Sequence, residues 1–260
     1  MAAMTNTYQE AMRERHRPAH ARRTAQSQAA FLLPHLRPGM KLLDLGCGPC
    51  TITVGLAEAV APGGSAVGVD LHPSLPEGAT GLAIVAADVH RLPFPDATFD
   101  AIYSSALLQH VPEPLAVLRE ARRVARPGAV IGVVDTDWGS LLQYPENEKL
   151  TKASEVARRL RRGTSPDVGR QLRSLLVEAG FSRCVGSARV TCEASPDDVE
   201  GFGSQAAAGF EHPAAVERAV ARGDATAEEM AEFARAWREW GEHPGAYVST
   251  LWCEAIGWAG

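Results

Sequence analysis

Lys41–Thr53, KLLDLGCGPCTIT, constrains the fold of this chain more than any other stretch. Strand-forming residues run through an acid, Asp44, into Gly46-Cys47-Gly48, and Thr51 then opens a helical pattern. A strand that ends in a glycine turn ahead of a helix leaves backbone N–H groups unpaired and lets a ligand approach the main chain. The stretch is therefore expected to hold a ligand.

The same grammar recurs downstream. Ser65–Val69 is an apolar strand ending at Asp70, Leu82–Ala87 is closed by Asp88, Phe99–Ser104 is a fourth strand, and Ala129–Val134 is a fifth that stops at Asp135. Helical patterns cover Thr51–Val60 and Pro114–Val124, where Leu115, Val117, Leu118, Ala121 and Val124 share one face. Leu71–Thr80 carries Pro73, Pro76 and Gly78 and is expected to form no regular helix. Unbroken apolar strands alternating with helices indicate a doubly wound α/β domain with a mostly parallel sheet covered on both faces. Ligands in such sheets sit at the carboxyl ends of the strands, which here supply Asp44, Gly46, Gly48, Asp70, Asp88, Ser104 and Asp135.

The flanking regions are more helical. Residues 1–36 read as an N-terminal helical lid, polar and Arg-rich at first and then apolar over Thr24–Leu36, ahead of a core at 37–135. Helices at Asn147–Arg162 and Asp167–Ala179 and a strand at Phe181–Thr191 fill 136–195. Ser195-Pro196-Asp197-Asp198 starts a helix, with proline in the first turn and acids at the positive helix end. Pro213–Arg222 and Thr226–Trp240 complete a helical cap over 196–243, and Tyr247–Trp258 is a last strand within 244–260.

With 260 residues, 45% of them hydrophobic, the chain can bury a sizeable core. A net charge of -5 argues against a nucleic-acid partner, because phosphate binders present a basic face. No run reaches the 18 or so apolar residues that a membrane span needs, so a cytoplasmic, membrane-free protein is expected, as monomer or homodimer. Five scattered cysteines do not form a disulfide framework and are expected to be reduced thiols.

The first loop admits several ligands. The third glycine of a dinucleotide fingerprint is missing, since Thr51 stands in its place, and no Gly-Lys-Ser/Thr follows to make a phosphate loop. Cys47-Gly48-Pro49-Cys50 has the spacing of a thioredoxin-type redox pair, yet it is wedged into a glycine turn with four sheet elements after it. Without a second pair or nearby histidines it is a poor zinc site, and no metal is expected.

Taken together, Asp44-x-Gly46-x-Gly48, Val67-Gly68-Val69-Asp70, Ala87-Asp88-Val89, Leu92-Pro93-Phe94 and Phe99-Asp100 resemble the class I S-adenosylmethionine-dependent methyltransferases. The likeness is to the small-molecule branch that includes the ubiquinone and menaquinone enzymes, and Tyr144-Pro145-Glu146 and Glu178-Ala179-Gly180-Phe181 resemble actinobacterial members tied to secondary metabolism. It implies a seven-stranded Rossmann-like sheet and S-adenosylmethionine as cofactor. The implied cofactor contacts are Asp44, Gly46, Cys47, Gly48, Asp70, Leu71, Asp88, Val89, Ser104 and Arg23. Asp70 would take the ribose hydroxyls, Asp88 the adenine amino group and Val89 the ring, with Ser104 beside the methionine part. Singly, each acid reads as a turn or cap residue; in register they read as a site. The family often has glycine where Cys50 stands, and a helix where Leu71–Thr80 lies.

A sulfonium methyl is already activated, so the protein has chiefly to align an acceptor, exclude water and, where required, remove a proton. His110 is the first candidate base, with Asp135 or Asp137 next and Tyr8 contributed by the lid. Gln109, His110, Trp138, Tyr144, Phe202 and Phe210 are the expected substrate contacts, whereas Trp237 and Trp240, three apart on one helix, fit a core better. The expected acceptor is an O, N or C atom of a small, largely apolar, aromatic or alkaloid-like metabolite. A quinone-pathway acceptor, a nicotinamide oxidoreductase and a non-catalytic cofactor-binding protein are the competing readings.

Overall fold

β1 (Lys41–Leu45) is buried at every position after Lys41 because it has a parallel neighbour on either side, β2 (Ser65–Asp70) and β4 (Phe99–Ser105). The computed structural model describes residues 23–76, 78–161 and 163–260; Tyr8, with the rest of the expected lid before Arg23, lies outside them. With β3 (Leu82–Ala86), β5 (Ala125–Tyr144), β6 (Phe181–Glu193) and β7 (Tyr247–Ala259), the sheet has seven strands in the order β3-β2-β1-β4-β5-β7-β6. The β3-β2-β1-β4-β5 run is parallel throughout. β6 and β7 run antiparallel: Ser182 bonds to Trp258 and Ser187 to Glu254, so one number rises as the other falls. The strand order reverses direction between β1 and β4, which is where an open α/β sheet leaves a crevice for a ligand.

Helices follow their sequence signals closely. α1 (Ala25–Gln28) starts at Thr24, which forms a capping box with Ser27. It ends after one turn, short of the expected helix, and a 3-10 turn with Pro34 at its second position follows at Leu33–His35. α2 (Thr51–Val60) follows the glycine turn and α3 (Pro114–Val124) begins on its proline. The described residues of 71–80 contain no helix, as the breakers dictate. α4 (Glu148–Leu160) is capped by Asn147. The expected helix over Asp167–Ala179 is split into a 3-10 turn at Val168–Gln171 and α5 (Leu172–Glu178).

The largest departure is β5, expected to stop at Asp135 and in fact continuing to Tyr144. Two acids that read as a strand end are buried inside it. Asp135 accepts backbone hydrogen bonds and Asp137 pairs with Arg170, so neither needs water at a terminus.

The chain divides into two compact units. In described residues, one comprises 23–76, 78–137, 167–189 and 252–260. Its sheet carries a core on each face: Leu43, Leu45, Ile102, Leu118 and Ile131 on one, and Leu32, Leu42, Leu56 and Tyr103 on the other. The second comprises 138–161, 163–166 and 190–251. Its core is built by α4, α6 (Pro196–Glu211), α7 (Pro213–Arg222) and α8 (Ala227–Gly241) around Leu150, Phe210, Phe233, Trp237 and Trp240. Among the described residues no helix is long and apolar enough to cross a membrane, and no cluster of His, Cys, Asp and Glu could hold a metal ion.

Candidate cofactor and active site

The loop after β1 is held from below by β2. Gly46 and Cys47 both donate their N–H to Val69 O, at 2.7 and 3.1 Å, and Gly48 donates to Asp70 Oδ2 at 3.1 Å. These N–H groups are therefore not free for a phosphate, and the turn's glycines serve approach rather than donation. Gly46 has φ +71° and Gly48 φ +49°. A Cβ on Gly46 would stand 2.9 Å from Leu107 Cδ1, whereas among the described residues no atom beyond its chain neighbours comes within 4 Å of where a Gly48 Cβ would stand. One glycine lets the loop press onto the β4 side and the other leaves the main chain approachable. Ser74 N–H reaches Gly48 O at 3.0 Å, so the helix-free Leu71–Thr80 segment is tied to the same loop.

Asp44, buried at the end of β1, accepts from Thr53 Oγ1 at 2.6 Å. Burial pushes its carboxyl up to about 7, partly opposed by the Thr53 bond. Asp70 stands at the end of β2 with Oδ2 on Gly48 N and Oδ1 on His72 N at 2.9 Å. Two main-chain donors thus fix the carboxylate, leaving each oxygen a further lone pair. Leu71 beside it is exposed. Asp88 forms a turn, accepting from His90 N at 2.9 Å with the His90 ring at 2.8 Å, and its carboxyl is held below the ordinary range by those contacts. Val89 is buried next to it.

Ser104 closes the buried part of β4. Its Oγ is fully buried and, among the described residues, has no hydrogen-bond partner. A buried hydroxyl without a partner costs about 1–3 kcal/mol, which a ligand with a polar group can recover. Arg23 lies with its guanidinium 4.9 Å over the Trp252 ring; burial lowers its pKa, and Tyr103 and Asp135 oppose that.

Asp135 has no exposed surface. Its Oδ2 accepts from Leu108 N at 2.7 Å and Gln109 N at 3.3 Å, and Oδ1 from Thr136 N at 3.1 Å. Burial raises its carboxyl to about 7, against the pull of those three bonds. Both oxygens are thus committed to the Leu108–His110 turn and to β5 itself. Asp135 positions the turn that carries Gln109, which is buried, and His110, which is exposed.

Residues 43–133 match the family model described as a methyltransferase domain, which begins inside β1 and ends inside β5. An uncharacterized methyltransferase of Schizosaccharomyces pombe is 32% identical over 178 residues, 62% of this chain and 64% of that protein. The probable methyltransferase ltbC of Aspergillus luteorubrus is 26% identical over 288 residues, 98% of each chain. A putative methyltransferase of Bacillus halodurans has the same fold, with TM-score 0.51, 18% identity, and coverage of 87% of this chain and 96% of that one. The chain spans 48% and 64% of the length of the first curated relatives it matches.

Residues 43–133 form a methyltransferase domain, set in a sheet with the class I methyltransferase fold.

The residues present are compatible with S-adenosylmethionine, the cofactor of this domain family. Within one unit lie an approachable glycine turn at Gly48, a main-chain-fixed acid at Asp70 and, among the described residues, a buried hydroxyl without a partner at Ser104. Sequence reasoning passed over Thr53, Ser74 and Leu107, which hold Asp44, Gly48 and Gly46 in place. Nothing local marks them, since their partners are set by the fold.

The expected substrate residues divide. Phe210 is buried against Phe233 at 5.5 Å between ring centroids, and Trp237 and Trp240 are buried against each other at 5.5 Å, all as core. Trp138 lies under the Arg161 guanidinium at 4.7 Å, Phe202 is half-buried on Trp237 at 5.6 Å, and Tyr144 is 59% exposed.

Proposed function

We propose that the protein transfers the methyl group of S-adenosylmethionine to an O, N or C atom of a small, largely apolar, aromatic or indole-like metabolite. The reading rests first on one observation: at the reversal point of the sheet, Asp70 with spare lone pairs and the partnerless hydroxyl of Ser104 flank the approachable Gly48. When bound, S-adenosylmethionine supplies an activated sulfonium methyl. The chain's part is to grip the ribose hydroxyls with Asp70, the methionine carboxylate with Arg23 and its amino group with Ser104, and to hold the Leu108–His110 turn through Asp135. His110, exposed on that turn, receives the acceptor's proton where one must leave. Trp138, Tyr144 and Phe202 keep ring surface that an apolar acceptor can use. Demethylmenaquinone methyltransferases among the partial-length relatives support the competing reading, a quinone-pathway acceptor. A cytoplasmic monomer or homodimer belongs to the same proposal.

Calorimetry separates the cofactor classes: heat of binding is expected with S-adenosylhomocysteine and none with NAD. Incubation with S-adenosylmethionine and a metabolite extract, read by mass spectrometry, should yield a product one methyl heavier. If no compound gains a methyl although the cofactor binds, the protein is a binder and not an enzyme.

A further inference from the structure

Cys47 and Cys50 have no part in the proposed methyl transfer, yet their surroundings are built for two sulfurs. Both are buried, and Cys50 Sγ donates to Gly48 O at 3.9 Å, on the arc between the two sulfurs. A Cβ on Gly68 would stand 2.8 Å from Cys47 Sγ and 3.4 Å from Cys50 Sγ, so the bare glycine on β2 makes the space that both occupy. Cys50 N–H donates to Cys47 O at 2.9 Å. A turn closed in this way holds its end Cα atoms within about 7 Å, which is within reach of a disulfide.

Cys50 also sits at φ +57°, as the residue before α2. A side chain in that left-handed region costs about 1 kcal/mol that a glycine would not. The position thus carries a strained thiol where the relaxed residue would carry none, and what the strained residue adds is a partner for Cys47.

We propose that Cys47 and Cys50 form a reversible disulfide under peroxide, and that closing it weakens cofactor binding; the second half rests on the cofactor reading above. The Cys50 thiolate attacks one peroxide oxygen, the O–O bond breaks, and hydroxide leaves as water, giving a sulfenic acid. The Cys47 sulfur then attacks the Cys50 sulfur, the S–O bond breaks, and water departs with the Cys47 proton. Two thiols are oxidised by two electrons and one peroxide is reduced to two waters. A dithiol reverses the step by exchange. The neighbouring Cys47 thiol holds the Cys50 thiol below its ordinary range, with burial opposing and Thr53 assisting.

The coupling to affinity is geometric. Sulfurs in a disulfide stand about 2.05 Å apart, far inside the contact distance of two thiols, so closure draws in the arc of Gly48 and Pro49. That arc carries the N–H that fixes Asp70 and the carbonyl that accepts from Ser74.

The test uses the full chain, reduced or treated with hydrogen peroxide. Intact mass should fall by about 2 Da and return with dithiothreitol, and affinity for S-adenosylhomocysteine should fall at least about tenfold in step. Cys50→Gly, which relieves the backbone strain, and Cys50→Ser should bind equally with and without peroxide. A mass that stays constant or only gains oxygen overturns the disulfide, and a crosslinked protein with unchanged affinity overturns the switch. If the reduced protein does not bind either, the cofactor reading itself falls, and with it the link to affinity, while the mass change still reports on the sulfurs.

Discussion

Asp135 shows how a single buried carboxylate can hold a turn to a strand from inside a sheet. It gathers three main-chain donors inside the sheet, so Asp135→Ala would strand Leu108, Gln109 and Thr136 N–H in a dry interior. Buried donors left without partners cost about 1–3 kcal/mol each in the worst case, and partial relaxation brings the expected total loss to about 2–4 kcal/mol. Urea unfolding measures it, with Asp135→Asn, which keeps one acceptor, falling between the two. Asp70 makes a different prediction, because its spare lone pairs face outward from a strand end. Asp70→Ala should weaken S-adenosylhomocysteine about 10- to 100-fold, the worth of two hydrogen bonds to a charged acceptor, while the unfolding midpoint moves little. An unchanged affinity in calorimetry would remove Asp70 from the ribose.

At the scale of elements, the first half of the sheet could be read from its runs of apolar residues, since a strand covered on both faces leaves an unbroken hydrophobic signature. Asp44, Asp70 and the glycine turn were legible for the same reason: they punctuate those runs. The length of β5 was not, because Asp135 and Asp137 look like a terminus until one knows that Leu108 N–H and Arg170 meet them from far along the chain. Likewise the roles of Thr53 and Ser104 depend on what the fold sets beside each of them. Glycines that bring elements together are equally silent in sequence. Gly203 on α6 would place a Cβ 2.5 Å from Trp237 O and 3.1 Å from Gly241 Cα on α8. Both neighbours are backbone and cannot step aside, so Gly203→Ala should cost about 3 kcal/mol or more, read by thermal unfolding. Gly68→Ala meets the Cys47 side chain instead. It should cost about 1–3 kcal/mol and loosen cofactor binding, a pairing of effects that Gly203→Ala need not show.

For the whole molecule, the two carboxyls raised to about 7, Asp44 and Asp135, set a pH dependence. Their ordinary value is near 3.9, so the unfolded chain releases these protons more readily than the folded one. Stability from these groups is greatest at low pH, declines as pH rises from about 4 toward 7, and levels off above. Between pH 6 and pH 8 each should remove roughly 1 kcal/mol, visible as a lower melting temperature at pH 8, with Asp135→Asn roughly halving the difference. Equal melting at both values would mean that neither acid is protonated in the native state near neutrality.

The helix missing between β2 and β3 carries a cost outside the site. β3 is the last strand of its side of the sheet, free of charged residues, with Ile84 at 36% exposure, and Leu71 and Leu75 in the segment that precedes it in the chain are 52% and 44% exposed. An uncharged, apolar strand edge invites another edge, and mutual repulsion between molecules is what keeps such edges apart. That repulsion fades near the isoelectric point of about 5.9, where the buried acids favour the folded state over its value at pH 8. The buffer that best preserves the fold is thus expected to be a poor one for keeping molecules dispersed. Light scattering against concentration should rise earlier at pH 6 than at pH 8, and Ile84→Lys should delay it.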